Sequence, residues 1–375
     1  MKIHWLPIMV LAGGLGWAGE PLIEQTTLFK MGDGGYYGYR IPSVVVTKKG
    51  TVLAFFEGRK NSLQDVGNND LLMIRSLDSG KTWTKPQLIA DHGDDAIMNP
   101  CALVDQKTGT VWLMLTGVRA DTNDKALSAG TRWHTVWITQ SKDDGAHWAK
   151  PVEITSRIRG KHADMTFYAA GPGNGIQLRS GRLVFPNYFR WKGAKRDSYA
   201  NAIYSDDHGK SWVHGNPAGA LTNEAQMVEL ADGSLLYNMR SYHGKNRRAV
   251  ARSRDGGQSW TEPVLDDTLV EPVCQASLIR LTLAGRRSKN RLLFSNPAGT
   301  KRVNMTVRLS YDEGRTWPVQ RVLNAGPSGY SSLVALPDGT IGCLYESGDS
   351  KYNERLTFAR FNLEWLSGGA DSLKR

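Results

Sequence analysis

Residues 76–83, Ser-Leu-Asp-Ser-Gly-Lys-Thr-Trp, decide the fold because the chain repeats their pattern. The pattern Ser-x-Asp-x-Gly-x-(Thr/Ser)-Trp occurs five times, and its copies start at Ser76, Ser141, Ser205, Ser253 and Ser310. The second copy departs from it, with His147 where Thr or Ser stands elsewhere. The starts are 65, 64, 48 and 57 residues apart. A repeat of roughly 50 residues with strand-like flanks is typical of propellers, in which each repeat forms one blade.

Each part of the repeat has a local structural role. An aspartate such as Asp78 can accept hydrogen bonds from backbone N–H groups across a tight turn. The glycine two positions later can adopt the positive φ that hairpin turns often need. The tryptophan can cover the turn and pack between neighbouring sheets. We therefore interpret the repeated aspartates as turn residues and not as catalytic acids; they are Asp78, Asp143, Asp207, Asp255 and Asp312.

The segments between the repeats are predicted to be strands joined by glycine-containing turns, the pattern of antiparallel hairpins. They include residues 43–56, 110–116, 182–186, 234–239, 291–295 and 340–345. No segment shows sustained helical periodicity, and 40 glycines with 12 tryptophans favour a turn-dense all-β protein. A count of about six hairpins predicts a six-bladed β-propeller of four-stranded antiparallel blades.

The composition argues against several classes of protein. The 375 residues are 40% hydrophobic and 22% charged, as in globular proteins. The net charge of +11 is spread along the chain, and no basic block indicates a nucleic-acid partner. No apolar run reaches the roughly 18 residues of a membrane-spanning helix, so we expect no stable membrane insertion. Cys101, Cys274 and Cys343 permit at most one disulfide, and we expect them to be buried.

The first residues predict a targeting segment. Lys2 precedes an apolar stretch over residues 5–17, and Gly16 and Ala18 supply small residues for a cleavage site. This is the pattern of a secretory signal peptide, and the alternatives are an N-terminal membrane anchor or a buried strand. We expect a signal peptide over residues 1–19, a single propeller domain over residues 20–375, and export to the periplasm or the medium.

Outside the repeats, the chain resembles the bacterial exo-α-sialidases (neuraminidases), a family whose repeats are called Asp boxes or BNR repeats. The resemblance begins at about residue 39 and depends on Arg40-Ile41-Pro42 followed by several Asp boxes. The other residues that carry it are Glu57-Gly58-Arg59, Asp65, Asn223-Glu224, Arg240, Arg302 and Tyr330. It implies retaining hydrolysis of terminal sialic acid from glycoproteins, glycolipids or oligosaccharides. We expect no metal and no organic cofactor, because the sequence contains no cluster of metal ligands and no phosphate-binding loop.

Sialic acid carries a carboxylate on its anomeric carbon, and the resemblance assigns its binding to Arg40, Arg240 and Arg302. Arginine suits this task because its guanidinium stays charged and donates paired hydrogen bonds to a carboxylate. A surface role is the alternative for each arginine. For Arg302 the neighbours Lys301 and Arg308 are also competitors.

The resemblance assigns the nucleophile to Tyr330, its base to Glu224 and the general acid/base to Asp65. A carboxylate that attacks a carbon bearing another carboxylate meets charge repulsion, which a neutral phenol avoids if a base takes its proton. An aspartate pKa of about 3.9 is too low to hold a proton near neutrality, so we expect loop closure over the substrate to raise it. The rivals, Tyr345 and Asp70, are predicted to be strand residues.

Supporting roles are also implied. Arg59 resembles a position on the ring-hydroxyl side of the substrate, and Glu346 resembles the carboxylate that orients Arg40. Further candidates for the pocket wall are Asp33, Glu57, Met98, Asn99 and Tyr168. Some members of the family have an acidic residue where this chain has Asn99, which leaves recognition around the 4-position of the ring open.

Two other functions are compatible with the arginines. A non-catalytic sialic-acid-binding propeller would lack Asp65, Glu224 or Tyr330, and all three are present. A trans-sialidase, or an exo-glycosidase for a related nonulosonic acid, would share the whole set. Trp191 is the candidate for the aromatic acceptor site of a trans-sialidase. The sequence leaves the linkage preference, the tolerance of N-glycolyl groups and the oligomeric state open.

Overall fold

The computed structural model describes residues 19–160, 164–194, 197–285 and 288–373. The predicted signal peptide, apart from Gly19, lies outside these residues. The described chain is all-β, with strands throughout its length and three α-helices of five or six residues. No helix in these ranges is both long enough and apolar enough to cross a membrane.

The strands, in chain order, are β1 (Ile23–Lys30), β2 (Gly38–Val46), β3 (Val52–Arg59), β4 (Asn69–Ser76), β5 (Gln87–Ala90), β6 (Ala96–Val104), β7 (Val111–Val118), β8 (Thr135–Ser141), β9 (Val152–Glu153), β10 (Met165–Ala170), β11 (Gly173–Asn174), β12 (Ile176–Gln177), β13 (Leu183–Trp191), β14 (Tyr199–Ser205), β15 (Val213–His214), β16 (Thr222–Glu229), β17 (Leu235–Ser241), β18 (Arg247–Ser253), β19 (Val264–Val270), β20 (Ser277–Thr282), β21 (Arg291–Pro297), β22 (Val303–Ser310), β23 (Val319–Ala335), β24 (Ile341–Ser347) and β25 (Arg355–Phe361). The helices are α1 (Asp124–Ala129), α2 (Thr155–Arg159) and α3 (Leu363–Ser367), with a 3-10 turn at Asp33–Gly35.

Antiparallel pairing between strands that are close in sequence builds the sheets. Strands β2, β3, β4 and β5 pair in that order, and so do β6 to β9. Strand β13 pairs with β10, β12 and β14, and β16 to β19 form a sheet of their own. The 17-residue strand β23 pairs with β22 along its first half and with β24 along its second half. The all-β prediction is confirmed, and every predicted strand segment coincides with strands.

The two ends of the described chain are held together. Strand β1 pairs antiparallel with β25, from Ile23 opposite Phe361 to Lys30 opposite Arg355. The Trp83 ring, in the repeat that follows β4, contacts Phe358 of β25 edge-on at 5.1 Å between centroids. The first repeat therefore packs against the last strand, which is a connection that a closed arrangement of sheets requires.

The repeats form the turns that the sequence predicted. Asp78 Oδ1 accepts hydrogen bonds from the backbone N–H groups of Lys81 and Thr82 at 3.1 and 2.9 Å, and Oδ2 accepts from the Thr82 hydroxyl at 2.7 Å. Ser76 Oγ donates to Asp78 at 2.8 Å and accepts from the backbone N–H of Gly80 at 2.8 Å. The hydrogen bonds from Thr82 lower the pKa of Asp78 to about 2. The other four aspartates likewise accept from the backbone N–H four positions later.

The glycine of the repeat brings the turn close to the next sheet. Gly80 has a φ of +83°, and a Cβ there would lie 2.3 Å from Cε1 of Phe358. A Cβ on the equivalent Gly209 would lie 2.2 Å from the Trp112 ring on β7. Both contacts are far shorter than a van der Waals separation, so only glycine lets the turn and the neighbouring sheet approach this closely.

The three cysteines are buried, and none of them forms a disulfide. Cys274 packs in a small apolar cluster with Ile41 and Tyr330. The expectation that these thiols serve as small core side chains is confirmed.

Two matched substitutions separate the conformational role of the repeat glycine from its packing role. Gly80→Ala and Gly339→Ala both force alanine to a φ of +83°, but nothing lies within 4 Å of a Cβ at Gly339. We expect Gly339→Ala to lower the free energy of unfolding by about 1–2 kcal/mol. Gly80→Ala adds overpacking against Phe358 and is expected to cost about 1–3 kcal/mol more. Urea unfolding measures both, and equal losses would contradict the close approach of the two sheets.

Candidate active site

Three of the predicted site residues, Arg40, Glu224 and Tyr330, lie on strands β2, β16 and β23 where the regular strand pairing is interrupted. The register of β2 against β3 shifts just after Arg40, that of β16 against β17 shifts around Glu224, and that of β23 against β24 shifts around Tyr330. A β-bulge bends its strand and changes the direction in which a side chain points. These interruptions bring side chains from three separate meanders to one place.

Tyr330 and Glu224 are in direct hydrogen-bond contact at the centre of the site. The Tyr330 hydroxyl donates to Glu224 Oε1 at 2.6 Å, and both side chains are buried. Arg240 Nη1 donates to Glu224 Oε2 at 2.7 Å and to the Tyr330 oxygen at 3.1 Å. Burial and the Glu224 carboxylate raise the pKa of Tyr330 well above its usual value of 10.0. The phenol is therefore neutral at physiological pH, with a proton acceptor already in contact.

Glu346 holds Arg40 and the backbone of Tyr330 together. Its Oε1 accepts from Arg40 Nε and from the backbone N–H of Ile41, each at 3.0 Å. Its Oε2 accepts from Arg40 Nη2 at 3.3 Å and from the backbone N–H of Tyr330 at 3.2 Å. The pairing of Glu346 with Arg40 that the resemblance implied is present. The fully buried carboxylate orients this guanidinium through two of its three nitrogens.

The three predicted arginines surround the Tyr330 ring. The Arg40 and Arg302 guanidinium carbons lie 5.3 and 5.5 Å from its centroid, and Arg240 contacts its hydroxyl. Arg302 also lies 4.6 Å from the centroid of Tyr352. Within the described ranges, Arg302 has no carboxylate partner, whereas Arg40 and Arg240 pair with Glu346 and Glu224. In the part of the chain that the structure describes, no carboxylate therefore pairs with the positive charge of Arg302.

Asp65 lies on the loop between β3 and β4 at the edge of this group. Its side chain is 68% exposed, and Oδ1 lies 2.9 Å from Arg59 Nη2 and 3.5 Å from Arg40 Nη1. Partial desolvation by the site walls opposes ionisation, but Arg59 and Arg40 outweigh it and hold the pKa of Asp65 below its usual value of 3.8. In this structure Asp65 is therefore an ionised carboxylate.

Arg59 connects the exposed Asp65 to a buried acid, Glu57. Arg59 Nε and Nη2 donate to Glu57 Oε2 at 2.9 and 2.7 Å, and Glu57 Oε1 accepts from the backbone N–H of Asn99 at 2.8 Å. Desolvation raises the pKa of Glu57. Glu57 therefore acts here as an internal partner that fixes Arg59 and the backbone at Asn99.

A cavity of about 390 Å³ opens beside these groups. Asp65, Glu224 and Tyr330 border it, as do the predicted wall residues Met98 and Asn99. Its other lining residues are Ile41, Val66, Val118, Thr122, Asn123, Asp124, Leu127, His134, Phe167 and Tyr188. Most of this second set comes from the β7–β8 connection and from β10 and β13, which carried no motif in the sequence.

Several residues that the sequence offered as candidates for the site do not border the cavity. Asp70 is a buried β4 residue that pairs with Lys60 at 3.0 Å, and Tyr345 is a β24 residue, as their strand predictions required. Tyr168 was wrongly placed in the pocket wall, because its side chain is buried in the core. Asp33 does not border the cavity either and instead accepts from the backbone N–H of Lys30. Trp191 packs edge-on against Phe189 at 4.9 Å and is only partly exposed.

The sequence matches the BNR repeat-like domain family over residues 50–343. It is 36% identical to a sialidase of Micromonospora viridifaciens over 93% of this chain. The chain spans only 55% of the length of that bacterial protein.

Two further comparisons cover more of the matched protein. An exo-alpha-sialidase of Aspergillus fumigatus is 33% identical over 90% of this chain and 87% of its own length. The solved structure of the Hadza microbial sialidase Hz136 superposes with a TM-score of 0.81 at 36% identity, covering 90% of this chain and 68% of that one. Together with the Asp boxes and the arginines around Tyr330, these matches show that the chain belongs to the sialidase family with BNR repeats.

Proposed function

We propose that the protein is an exo-α-sialidase, which hydrolyses terminal sialic acid from glycoconjugates with retention of configuration at the anomeric carbon. The observation that carries the proposal is the 2.6 Å hydrogen bond from the Tyr330 hydroxyl to Glu224. Family membership supports the substrate class. The residue roles are supported by the contacts of the cavity.

The substrate carboxylate binds to Arg40, Arg240 and Arg302. Arg302 supports this role because no protein carboxylate in the described ranges neutralises it. Arg40 is oriented by Glu346, and Arg240 by Glu224. Three guanidinium groups around one anion also offset the cost of removing that anion from water.

In the first step, the Tyr330 oxygen attacks the anomeric carbon while its proton passes to Glu224. Asp65, once protonated, gives its proton to the leaving oxygen as the glycosidic bond breaks. In the second step, Asp65 takes a proton from water, the water oxygen bonds to the anomeric carbon, and the bond to Tyr330 breaks. Glu224 then returns the proton to Tyr330. Arg240 Nη1, at 3.1 Å from the phenol oxygen, stabilises the negative charge that develops there.

Asp65 must gain a proton before the first step. Arg40 is one of the two cations that hold its pKa low, and in the proposed complex Arg40 also binds the substrate carboxylate. That anion would partly neutralise Arg40 and add negative charge near Asp65, and both effects raise the pKa of Asp65. This is the shift that the sequence analysis expected on closure of the loop.

We also propose that the described meanders are the blades of a single six-bladed β-propeller over residues 20–375. Six groups of strands support this proposal, one for each blade: β2–β5, β6–β9, β10 with β12–β15, β16–β19, β20–β22 with the first half of β23, and the second half of β23 with β24, β25 and β1.

We further propose that the protein is exported, on the basis of its N-terminal sequence alone. Sequencing the N-terminus of the mature protein from the native host tests this proposal.

The nucleophile is tested with a 4-methylumbelliferyl α-glycoside of N-acetylneuraminic acid, followed by proton NMR. We expect hydrolysis, with the α-anomer of free sialic acid as the first product. Tyr330→Phe is expected to lower kcat by about a hundredfold or more, because it removes the attacking oxygen. The control Tyr345→Phe removes a hydroxyl that donates a hydrogen bond to Gln25, outside the site, and should retain activity. A β-anomer as first product, or no hydrolysis, would contradict the proposal.

The acid is tested by changing the leaving group. Asp65→Asn is expected to lower kcat/KM by about 10²–10⁴-fold on 3′-sialyllactose, because its alkoxide leaving group needs a proton. The loss should be much smaller on a 4-nitrophenyl α-sialoside, because that phenolate leaves without protonation.

The matched control is Asp70→Asn, which changes the neighbouring acid that pairs with Lys60. It should leave the ratio of the two substrates as in the wild type. Equal losses on both substrates for Asp65→Asn would remove Asp65 from the acid role.

A further inference from the structure

Arg302 differs from the other two arginines of the site in the way its side chain is held. Each of those two has a buried carboxylate partner. Within the described ranges, the Arg302 guanidinium makes neither a hydrogen bond nor an ion pair. Two aromatic rings lie beside it instead: its guanidinium carbon is 4.6 Å from the centroid of Tyr352 and 5.5 Å from that of Tyr330. The contact with Tyr352 is the shorter of the two.

A tyrosine ring suits this arginine better than a carboxylate would. The face of an aromatic ring carries partial negative charge and attracts a guanidinium that lies over it. The ring has no net charge, so it holds the cation without neutralising it. The positive charge of Arg302 therefore remains available to an anionic ligand.

The connection between β24 and β25, which carries Tyr352, is fixed by its own contacts. The Glu354 carboxylate accepts hydrogen bonds from the backbone N–H groups of residues 349, 350 and 351 at 2.7, 3.3 and 2.9 Å. The loop is also tightly packed at Gly348, where a Cβ would lie 1.8 Å from the backbone oxygen of Lys351. These contacts place the Tyr352 ring before any ligand binds.

The Tyr352 ring also packs against the backbone next to Tyr330. A Cβ on Gly329 would lie 2.7 Å from Cδ2 of Tyr352. The guanidinium carbon of Arg40 is 5.7 Å from the ring centroid, farther away than that of Arg302. In the described part of the chain, the Tyr352 hydroxyl makes no hydrogen bond. Tyr352 therefore contacts the site through its ring and not through its hydroxyl.

We propose that Tyr352 is a positioning residue, which holds the Arg302 guanidinium through the face of its ring and so prepares it for the substrate carboxylate. An arginine side chain has many rotamers, and ordering it only when the ligand binds lowers the affinity. Tyr352 orders Arg302 in the free protein instead. This inference rests on the proposed function, in which Arg302 binds the carboxylate of sialic acid.

The test changes the charge distribution of the ring and keeps its shape. Tyr352→Phe is compared with variants that carry a phenylalanine with one to five fluorines at the same position, because fluorine withdraws negative charge from the ring face. Calorimetry measures the Kd of the 2,3-dehydro derivative of N-acetylneuraminic acid, which retains the carboxylate. We expect Tyr352→Phe to bind it as the wild type does. The Kd should rise stepwise with fluorine number, by about three- to thirtyfold at five fluorines.

A second experiment asks whether Tyr352 acts through Arg302. Tyr352→Leu removes the ring and should weaken binding by about three- to thirtyfold. In the Arg302→Gln background the same change should cause no further loss, because the cation that the ring holds is absent. The matched control is pentafluorophenylalanine at Tyr204, whose ring lies 4.2 Å from the Arg182 guanidinium carbon and does not border the cavity. This control should bind as the wild type does.

Three results would overturn the inference and leave the sialidase proposal intact. The first is a Kd that does not change with the number of fluorines. The second is an equal loss from Tyr352→Leu with and without Arg302→Gln, which would assign the effect to Arg40 or to the backbone at Gly329. The third is a loss from Tyr352→Phe as large as that from Tyr352→Leu, which would assign it to the hydroxyl. A wild type that neither binds the ligand nor hydrolyses sialosides would overturn the proposed function and the inference together.

Discussion

The buried carboxylate of Glu346 is the contact on which the site depends. It receives hydrogen bonds from the Arg40 guanidinium and from the backbone N–H groups of Ile41 and Tyr330. Its approach requires Gly329, because a Cβ there would lie 2.2 Å from Oε2. Removing one partner of this pair would leave an uncompensated buried charge, which typically costs about 3–5 kcal/mol. One side chain on β24 thus positions both Arg40, the proposed anion-binding arginine, and the backbone of Tyr330, the proposed nucleophile.

The charges of the site are arranged so that its centre stays uncharged. Arg40 and Arg240 each have a buried carboxylate partner, whereas Arg302 has none within the described chain. Tyr330 lies among them as a neutral phenol, since burial and Glu224 raise its pKa. In the proposed mechanism, a nucleophile without charge approaches an anomeric carbon that carries a carboxylate, and the surrounding arginines bind that carboxylate. Binding of the substrate carboxylate requires positive charge, whereas attack requires an uncharged nucleophile. In the proposed mechanism the arginines provide the first and Tyr330 provides the second.

The sequence predicted the parts of the structure that local patterns determine. The Asp-box turns are local, so Asp78 and its four equivalents were predictable as turn residues. Arg40, Glu224 and Tyr330 were predicted as site residues only from the family resemblance, because the β-bulges beside them leave no periodic signal in the sequence. Thr122 and His134 border the cavity but could not be predicted, because the β7–β8 connection that carries them contains no motif. Tyr168 was misplaced because its neighbour Phe167 borders the cavity, and adjacent strand residues point to opposite faces.

The central claim is that the Tyr330 oxygen, activated by Glu224, bonds to the anomeric carbon. The most direct test is to incubate the protein with a 2,3-difluorosialic acid, whose 3-fluorine slows release of a covalent intermediate, and to locate the label by peptide mass spectrometry. The account predicts one 3-fluorosialyl group on Tyr330, and none when Tyr330→Phe is treated in the same way. A label on Glu224 or Asp65, or no label on a protein that still hydrolyses sialosides, would contradict it.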